Sequence, residues 1–136
     1  MIVVKNKFIP FRGYETINLF GILFTHDDYI DPVEYNHENI HSMQWVECTV
    51  LAMCIIMFLC IFFNLSFWWF IIAPLMYYIQ YCLEYIIIRC FHKKQGDAYH
   101  DVSFEEEAYA NDRDITYLQN RKHYAWFKYL KVKSND

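Results

Sequence analysis

The chain has 136 residues, room for one domain, and its hydrophobic and aromatic contents of 56% and 21% are high for a soluble domain of this size. A net charge of −4, without a basic stripe interleaved with aromatic residues, gives no reason to expect a nucleic-acid partner. The N-terminus has no long apolar core followed by a small-residue cleavage site and does not predict a cleaved signal peptide.

The first 30 residues contain a stretch rich in β-branched and aromatic residues, with the sequence GYETINLFGILFTHDDYI. Gly13 and Gly21 interrupt this stretch, and Asp27 and Asp28 close it. The pattern predicts one or two short strands in an N-terminal β segment over residues 1–30.

A helix-start signal follows directly. Asp31 can act as the N-cap, Pro32 suits the first helical position, and Glu34 puts an acidic residue in the first turn. The helix that begins here is predicted to carry the sequence HENIH and to continue into the apolar region, over residues 31–63.

The charge distribution predicts a membrane hairpin. No charged residue of either sign lies between Glu47 and Glu84, so residues 48–83 form an uncharged stretch of 36 residues. As one helix this stretch would be about 54 Å long, whereas a bilayer core is only about 30 Å thick. The stretch is therefore too long for one span and long enough for two.

The polar sequence NLS at residues 64–66 divides the apolar region into helices over residues 43–63 and 67–88. Each is of spanning length, and Ser66 can cap the second helix. Pro74 is predicted to kink the second helix or to mark a tolerated break in it.

Basic residues predict the orientation in the membrane. Three of the twelve Lys and Arg residues precede the membrane stretch, nine follow it, and the turn has none. The positive-inside rule places both termini in the cytoplasm. We therefore expect an integral protein of the inner (cytoplasmic) membrane.

The polar C-terminal region is predicted to form an amphipathic helix over residues 103–132. Ser103 and Glu106 have the spacing of a capping box, and the apolar side could pack on the first helix or lie at the membrane surface. The expected fold is a single, mainly α membrane domain over residues 1–136. It consists of a short β segment, an HExxH helix continuing into a transmembrane hairpin, and the C-terminal helix.

The sequence HENIH has the arrangement of a zinc-peptidase motif. On a helix, His37 and His41 lie on one face and can both direct a ring nitrogen at one zinc ion. Glu38 is placed to take a proton from a water molecule that the metal activates. A catalytic zinc usually has three protein ligands and one open position, so a third ligand is needed.

Three consecutive glutamates at the start of the C-terminal helix can supply it. Glu106 is the capping-box residue. Glu105 shares a helix face with Ala108, whose small side chain allows close approach to a metal, and with Asp112, which could orient a histidine. We therefore predict Glu105 as the third zinc ligand, with Glu107 as the alternative.

The hairpin bears on this prediction. A single membrane crossing would leave the histidines and the glutamates on opposite sides of the bilayer, where no zinc site could form within one chain. Two crossings return the chain to the side it left. Two crossings follow from the length of the apolar stretch alone, without reference to zinc.

The pattern of HExxH, a transmembrane hairpin and a helix with ExxA resembles the gluzincin class of zinc metallopeptidases. It is most similar to integral-membrane members such as the prenyl-protein and heat-shock membrane peptidases. The sequences NHENIHSMQ, FEEEAYAND and AWFKYL also resemble short, largely uncharacterised bacterial membrane proteins that look like minimal gluzincins. That resemblance extends from about Phe11 to Leu130.

The resemblance implies that His37, His41 and Glu105 are zinc ligands and that Glu38 is the general base. These peptidases usually carry Asp or Asn after the Ala of ExxA, where this chain has Tyr109. This difference leaves Asp112 as a substitute for orienting a ligand.

The resemblance also implies a His, Tyr or Arg that stabilises the oxyanion of the tetrahedral intermediate. Tyr109 and His100 are the candidates for this catalytic role, and Tyr99 and His123 are alternatives.

Two further carboxylates flank the membrane stretch. Glu47 and Glu84 would lie at similar depth in a hairpin, and carboxylates inside a membrane are functional candidates by default. The alternative is that each reaches the interface or pairs with Arg89. Gln44 and Tyr81 could complete a polar pocket beside them.

The sequence thus predicts a zinc metallopeptidase that hydrolyses peptide bonds at the cytoplasmic membrane surface. Its expected partners are the lipid bilayer and a peptide or membrane-protein substrate, which the sequence TINLFGILF could bind as an edge strand. Two alternatives remain: a non-catalytic membrane protein with a structural zinc site, and a small membrane interaction protein without a metal.

Overall fold

The computed structural model describes residues 1–9, 15–91 and 98–130, and the described part is mainly helical. Three strands come first, then two long helical segments, then short helices. The strands are β1 (Ile2–Lys5), β2 (Thr16–Leu19) and β3 (Ile22–Thr25). The α-helices are α1 (Pro32–Phe63), α2 (Met76–Phe91), α3 (Ser103–Asn111) and α4 (Tyr117–Asn120), and 3-10 segments cover Phe67–Leu75 and Ala125–Tyr129.

The strands form one sheet in the order β1-β3-β2, with β1 parallel and β2 antiparallel to β3. Strands β2 and β3 lie in the stretch for which the sequence predicts one or two strands, and β1 is an additional strand that precedes this stretch. The sequence TINLFGILF forms a hairpin rather than a single strand, because Phe20 and Gly21 both have positive φ (55° and 75°). Two such residues form the tight loop that matches the twist of a hairpin. The hairpin leaves β2 at an edge of the sheet.

Helix α1 begins as the sequence predicts. Asp31 is the N-cap, and its side chain accepts a hydrogen bond of 3.2 Å from the backbone N of Val33. The helix continues without a break from the HExxH motif through the apolar region to Phe63, and Asn64 ends it in the left-handed conformation. Its 32 residues give a length of about 48 Å, so the motif and the apolar stretch belong to one rigid element.

The second apolar segment is not one α-helix over residues 67–88. It begins as a 3-10 segment that Ser66 caps, and it becomes α-helical only at Met76, two residues after Pro74. Proline cannot donate a backbone hydrogen bond, so the predicted break lies where the helix type changes. The indole Nε1 of Trp45 in α1 donates to the Pro74 carbonyl oxygen at 2.9 Å and joins the two segments at this level.

Among the described residues, two segments are long and apolar enough to cross a membrane: Pro32–Phe63 and Phe67–Cys90. Only 28% and 11% of the most apolar window in each is buried within the protein. The two segments therefore present most of their apolar side chains outward.

The predicted helix over residues 103–132 is broken into short pieces. Helix α3 ends at Asn111, because the side-chain Nδ2 of Asn36 in α1 donates to the carbonyl oxygens of Asp112 (2.8 Å) and Asp114 (3.1 Å). Asp114 Oδ1 in turn accepts from the backbone N (2.9 Å) and hydroxyl (2.7 Å) of Thr116. Such local bonds compete with helix continuation. Residues 131–132 lie outside the described residues.

The predicted capping box is also wrong. Ser103 is the first residue of α3 rather than its N-cap. Its backbone N (2.9 Å) and hydroxyl (2.7 Å) both donate to the carboxylate of Glu84 in α2. A carboxylate satisfies the unpaired N–H at a helix start and suits the positive end of the helix dipole. Glu84 thereby fixes the start of α3 against α2.

An aromatic core lies under α3. The side chain of Phe104 is fully buried, with ring centroids 4.7 Å from Tyr77 and 4.9 Å from Trp126. These contacts join α2, α3 and the C-terminal 3-10 segment. They hold the first turn of α3 beside the HExxH turns of α1.

Candidate metal centre

The structure brings the three predicted ligands together. His37 and His41 lie one turn apart on α1, and Glu105 faces them from the first turn of α3. The two Nε2 atoms are 3.0 Å apart, and Glu105 Oε2 lies 3.4 Å from His37 Nε2 and 3.5 Å from His41 Nε2. All three residues are buried. This group could hold a metal ion.

The chemistry of the group suits a cation at its centre. Two imidazole lone pairs cannot face each other at 3.0 Å unless a proton or a metal ion lies between them. Glu105 Oε2 is fully buried and accepts no hydrogen bond from the described residues. A carboxylate oxygen buried without a donor is costly, and a bound cation would satisfy it.

The second oxygen of Glu105 is hydrogen-bonded. The hydroxyl of Tyr81 in α2 donates to Oε1 at 3.0 Å. Burial alone would raise the pKa of Glu105, but the close approach of the His37 and His41 rings outweighs burial and holds this pKa well below its usual range. The carboxylate is therefore ionised, as a metal ligand must be.

Each histidine has a polar group near its other ring nitrogen. His37 Nδ1 lies 3.7 Å from Asp112 Oδ2, so Asp112 is near the ring but beyond hydrogen-bond distance. His41 Nδ1 lies 2.8 Å from the side-chain oxygen of Gln44 and 3.2 Å from the hydroxyl of Tyr77. Groups of this kind fix the ring orientation of metal-binding histidines.

Glu38 lies beside the ligand group and lines the two cavities that open next to it. The more apolar of the two cavities, of about 370 Å³, is also lined by His41 and Glu105, the whole of β2 and several aromatic side chains. Asn18 of β2 donates to the Glu38 carbonyl oxygen at 2.7 Å. A sheet edge and the candidate general base therefore share one cleft.

The candidate oxyanion residues lie in different places. The Tyr109 ring centroid is 4.5 Å from that of His37, and the His100 ring centroid is 4.4 Å from that of Tyr109. Tyr99 lines both cavities. His123 lies 3.6 Å from Glu47, and neither cavity includes it.

The other carboxylates have structural partners. Glu107 and Glu47 both pair with Arg121, and Glu84 binds Ser103, so none of them joins the ligand group. Arg121, rather than Arg89, is the cation that pairs with Glu47.

Sequence reasoning missed Tyr77 and Arg121. A tyrosine hydroxyl in an apolar helix must find a partner, and the spacing of Tyr77 and Tyr81 puts both hydroxyls on one face of α2. That spacing was a usable signal. The sequence contains no comparable signal for Arg121, because its partners Glu107 and Glu47 are 14 and 74 residues away in the chain.

Comparison of the chain with protein-family models, curated proteins and solved structures found no match.

Proposed function

We propose that this protein is a membrane-embedded, gluzincin-like zinc metallopeptidase that hydrolyses peptide bonds at the cytoplasmic membrane surface. The observation that carries the proposal is the buried triangle of His37, His41 and Glu105, which adjoins a cleft lined by Glu38.

The spacing of the ligand atoms supports zinc. Two imidazoles and one carboxylate are a common catalytic zinc set, with bonds of about 2.0–2.2 Å. At tetrahedral angles, such bonds separate ligand atoms by about 3.3 Å. The separations of 3.0, 3.4 and 3.5 Å are close to this value.

The number of ligands supports catalysis over a structural role. Structural zinc sites are closed by four protein ligands, whereas catalytic sites keep one position open. Among the described residues, the ligand group has three members and borders a cavity. The alternative is a structural zinc that joins α3 to α1. The one observation that favours it is that the three residues come from two helices.

A zinc ion held by these residues would polarise the scissile carbonyl and make a water molecule a stronger nucleophile. Glu38 acts as the general base: it takes a proton from the attacking water and passes it to the leaving amine nitrogen. Tyr109 stabilises the negative charge that develops on the carbonyl oxygen, and His100 supports the Tyr109 ring.

The cleft suits an extended peptide. Strand β2 lines the cavity along its whole length and lies at an edge of the sheet, so a substrate can pair with it by adding a strand. Trp45 and Tyr78 line the same cavity. Their rings favour apolar residues, as expected for a membrane-protein segment.

Two features support the membrane setting. The segments Pro32–Phe63 and Phe67–Cys90 expose most of their apolar surface, and nine of the twelve basic residues follow them. We infer that both cross the inner membrane, with both termini in the cytoplasm. The HExxH turns lie near the start of α1, on the same side as α3.

Removal of the metal tests the proposal. Protein purified in detergent is expected to contain one zinc ion per chain and to cleave a library of quenched fluorescent peptides. Dialysis against 1,10-phenanthroline is expected to abolish cleavage, because no other group can polarise the scissile carbonyl as strongly. Addition of one equivalent of zinc should restore it.

The control is the same dialysis followed by magnesium, which prefers octahedral oxygen coordination and should not restore cleavage. Purified protein without zinc would contradict the proposal. Zinc-loaded protein that leaves the whole library intact would favour the structural alternative.

A further inference from the structure

A buried ion-pair cluster lies behind the candidate metal centre. The side chain of Arg121 is 2% exposed, and it binds Glu47 of α1 and Glu107 of α3. Nη1 and Nη2 donate to the two oxygens of Glu47 at 2.6 and 3.0 Å, and Nε and Nη2 donate to those of Glu107 at 2.6 and 3.2 Å. Both carboxylates are bound bidentately, which holds each in one orientation.

Glu107 connects this cluster to Gln44. The side-chain Nε2 of Gln44 donates to Glu107 Oε2 at 3.0 Å and to the backbone oxygen of Phe104 at 3.0 Å. An amide nitrogen has two hydrogens, and these two acceptors use both. The amide of Gln44 therefore has one orientation, with Oε1 pointing away from Glu107.

Gln44 in turn determines how His41 is oriented. Its Oε1 lies 2.8 Å from His41 Nδ1, and an amide oxygen can only accept a hydrogen bond. His41 must therefore carry a proton on Nδ1. The other ring nitrogen, Nε2, points at His37 and Glu105 and is the atom available to a metal.

We propose that Glu107, held by Arg121, is a positioning residue for the metal centre: through Gln44 it keeps the proton of His41 on Nδ1 and leaves Nε2 to bind zinc. The inference rests on the proposed zinc site. The region after α3 supplies Arg121 and therefore contributes to the zinc site through Glu107. Glu47 anchors the far side of Arg121, and no hydrogen bond among the described residues joins it to Gln44.

The test compares Glu107→Gln with Glu47→Gln. Each variant replaces one carboxylate partner of Arg121 with an amide of the same shape, but only the first changes the group that orients Gln44. Glu107→Gln is expected to lower zinc affinity about 10- to 100-fold, the range found for outer partners of metal ligands. Glu47→Gln should stay within about 3-fold of wild type, well below that range. Competition with a zinc chelator in detergent measures both.

A second readout separates positioning from general stability. Nitrogen-15 NMR detects the Nδ1–H group of His41, assigned by its absence in His41→Ala. We expect this signal in metal-free wild type and in Glu47→Gln, and we expect it to weaken or disappear in Glu107→Gln. A merely structural role for Glu107 would not remove it.

The NMR signal does not depend on zinc. If wild-type protein binds no zinc, the proposed function is wrong, but the signal still shows whether Glu107 determines which nitrogen of His41 carries the proton. If Glu107→Gln does not fold, Gln44→Met interrupts the same connection without touching Arg121. It should lose both zinc affinity and the signal. The inference is wrong if the Glu107 and Glu47 variants behave alike, or if Gln44→Met keeps wild-type zinc affinity.

Discussion

Replacing Glu105 with glutamine is expected to lower zinc affinity by more than about 100-fold, beyond the effect of outer partners of metal ligands. Glu105 is the proposed ligand from α3, and its Oε2 is buried without a hydrogen-bond donor among the described residues. Glutamine keeps the shape and can still accept the Tyr81 hydrogen bond, but it replaces a charged ligand with a neutral one. Metal content after dialysis against a chelator measures the loss.

The matched control is Glu106→Gln, which makes the same change of charge one residue further along α3, outside the ligand group. It should retain one zinc ion per chain. Equal zinc retention by the Glu105 and Glu106 variants would mean that α3 supplies no ligand. The proposed centre would then be wrong, whatever the two histidines do.

Features that depend on neighbouring residues were predictable from the sequence. The start of α1 follows from Asp31 and Pro32, because a cap and a preset φ act within one turn. The change of helix type near Pro74 follows from a missing donor. The two long apolar segments follow from a stretch of sequence that no single span can accommodate.

The clustering of His37, His41 and Glu105 was predictable for a related reason. The spacing of His37 and His41 is a local helix property, and the hairpin length requires α3 to return to the same end of α1. Glu105 could then be selected by its position in the first turn of α3. The structure was needed to exclude Glu107 as the alternative ligand, because its ion pair with Arg121 is visible only there.

The C-terminal region was mispredicted because distant residues control it. Amphipathic spacing favours one helix over residues 103–132, but Asn36 binds the carbonyl oxygens that follow Asn111, and Glu84 replaces Ser103 as the cap. Neither contact can be read from local sequence. The cluster of Asn and Asp residues at 111–114 is a local pattern that favours a helix end.

Substitution of Glu38, the proposed general base, is expected to reduce catalysis without reducing metal binding. In Glu38→Gln we expect peptide cleavage to fall about 10²- to 10⁴-fold, the usual contribution of a general base. Zinc content should stay at one ion per chain, because Glu38 is outside the ligand group. Initial rates with zinc-loaded protein and the quenched peptide library give the first quantity, and metal analysis of the same samples gives the second.

Glu34→Gln is the control, because Glu34 lies one turn earlier on α1 and lines the more polar cavity together with Glu38. The same charge change at Glu34 should leave the cleavage rate within about 3-fold, since Glu34 is outside the ligand group and the cavity along β2. If both variants cleave at the wild-type rate, Glu38 is not the base. If Glu38→Gln loses zinc as well as activity, the residue supports the metal centre instead. Only loss of cleavage at full zinc occupancy supports the peptidase mechanism. A zinc ion with a purely structural role would not need Glu38 as a base.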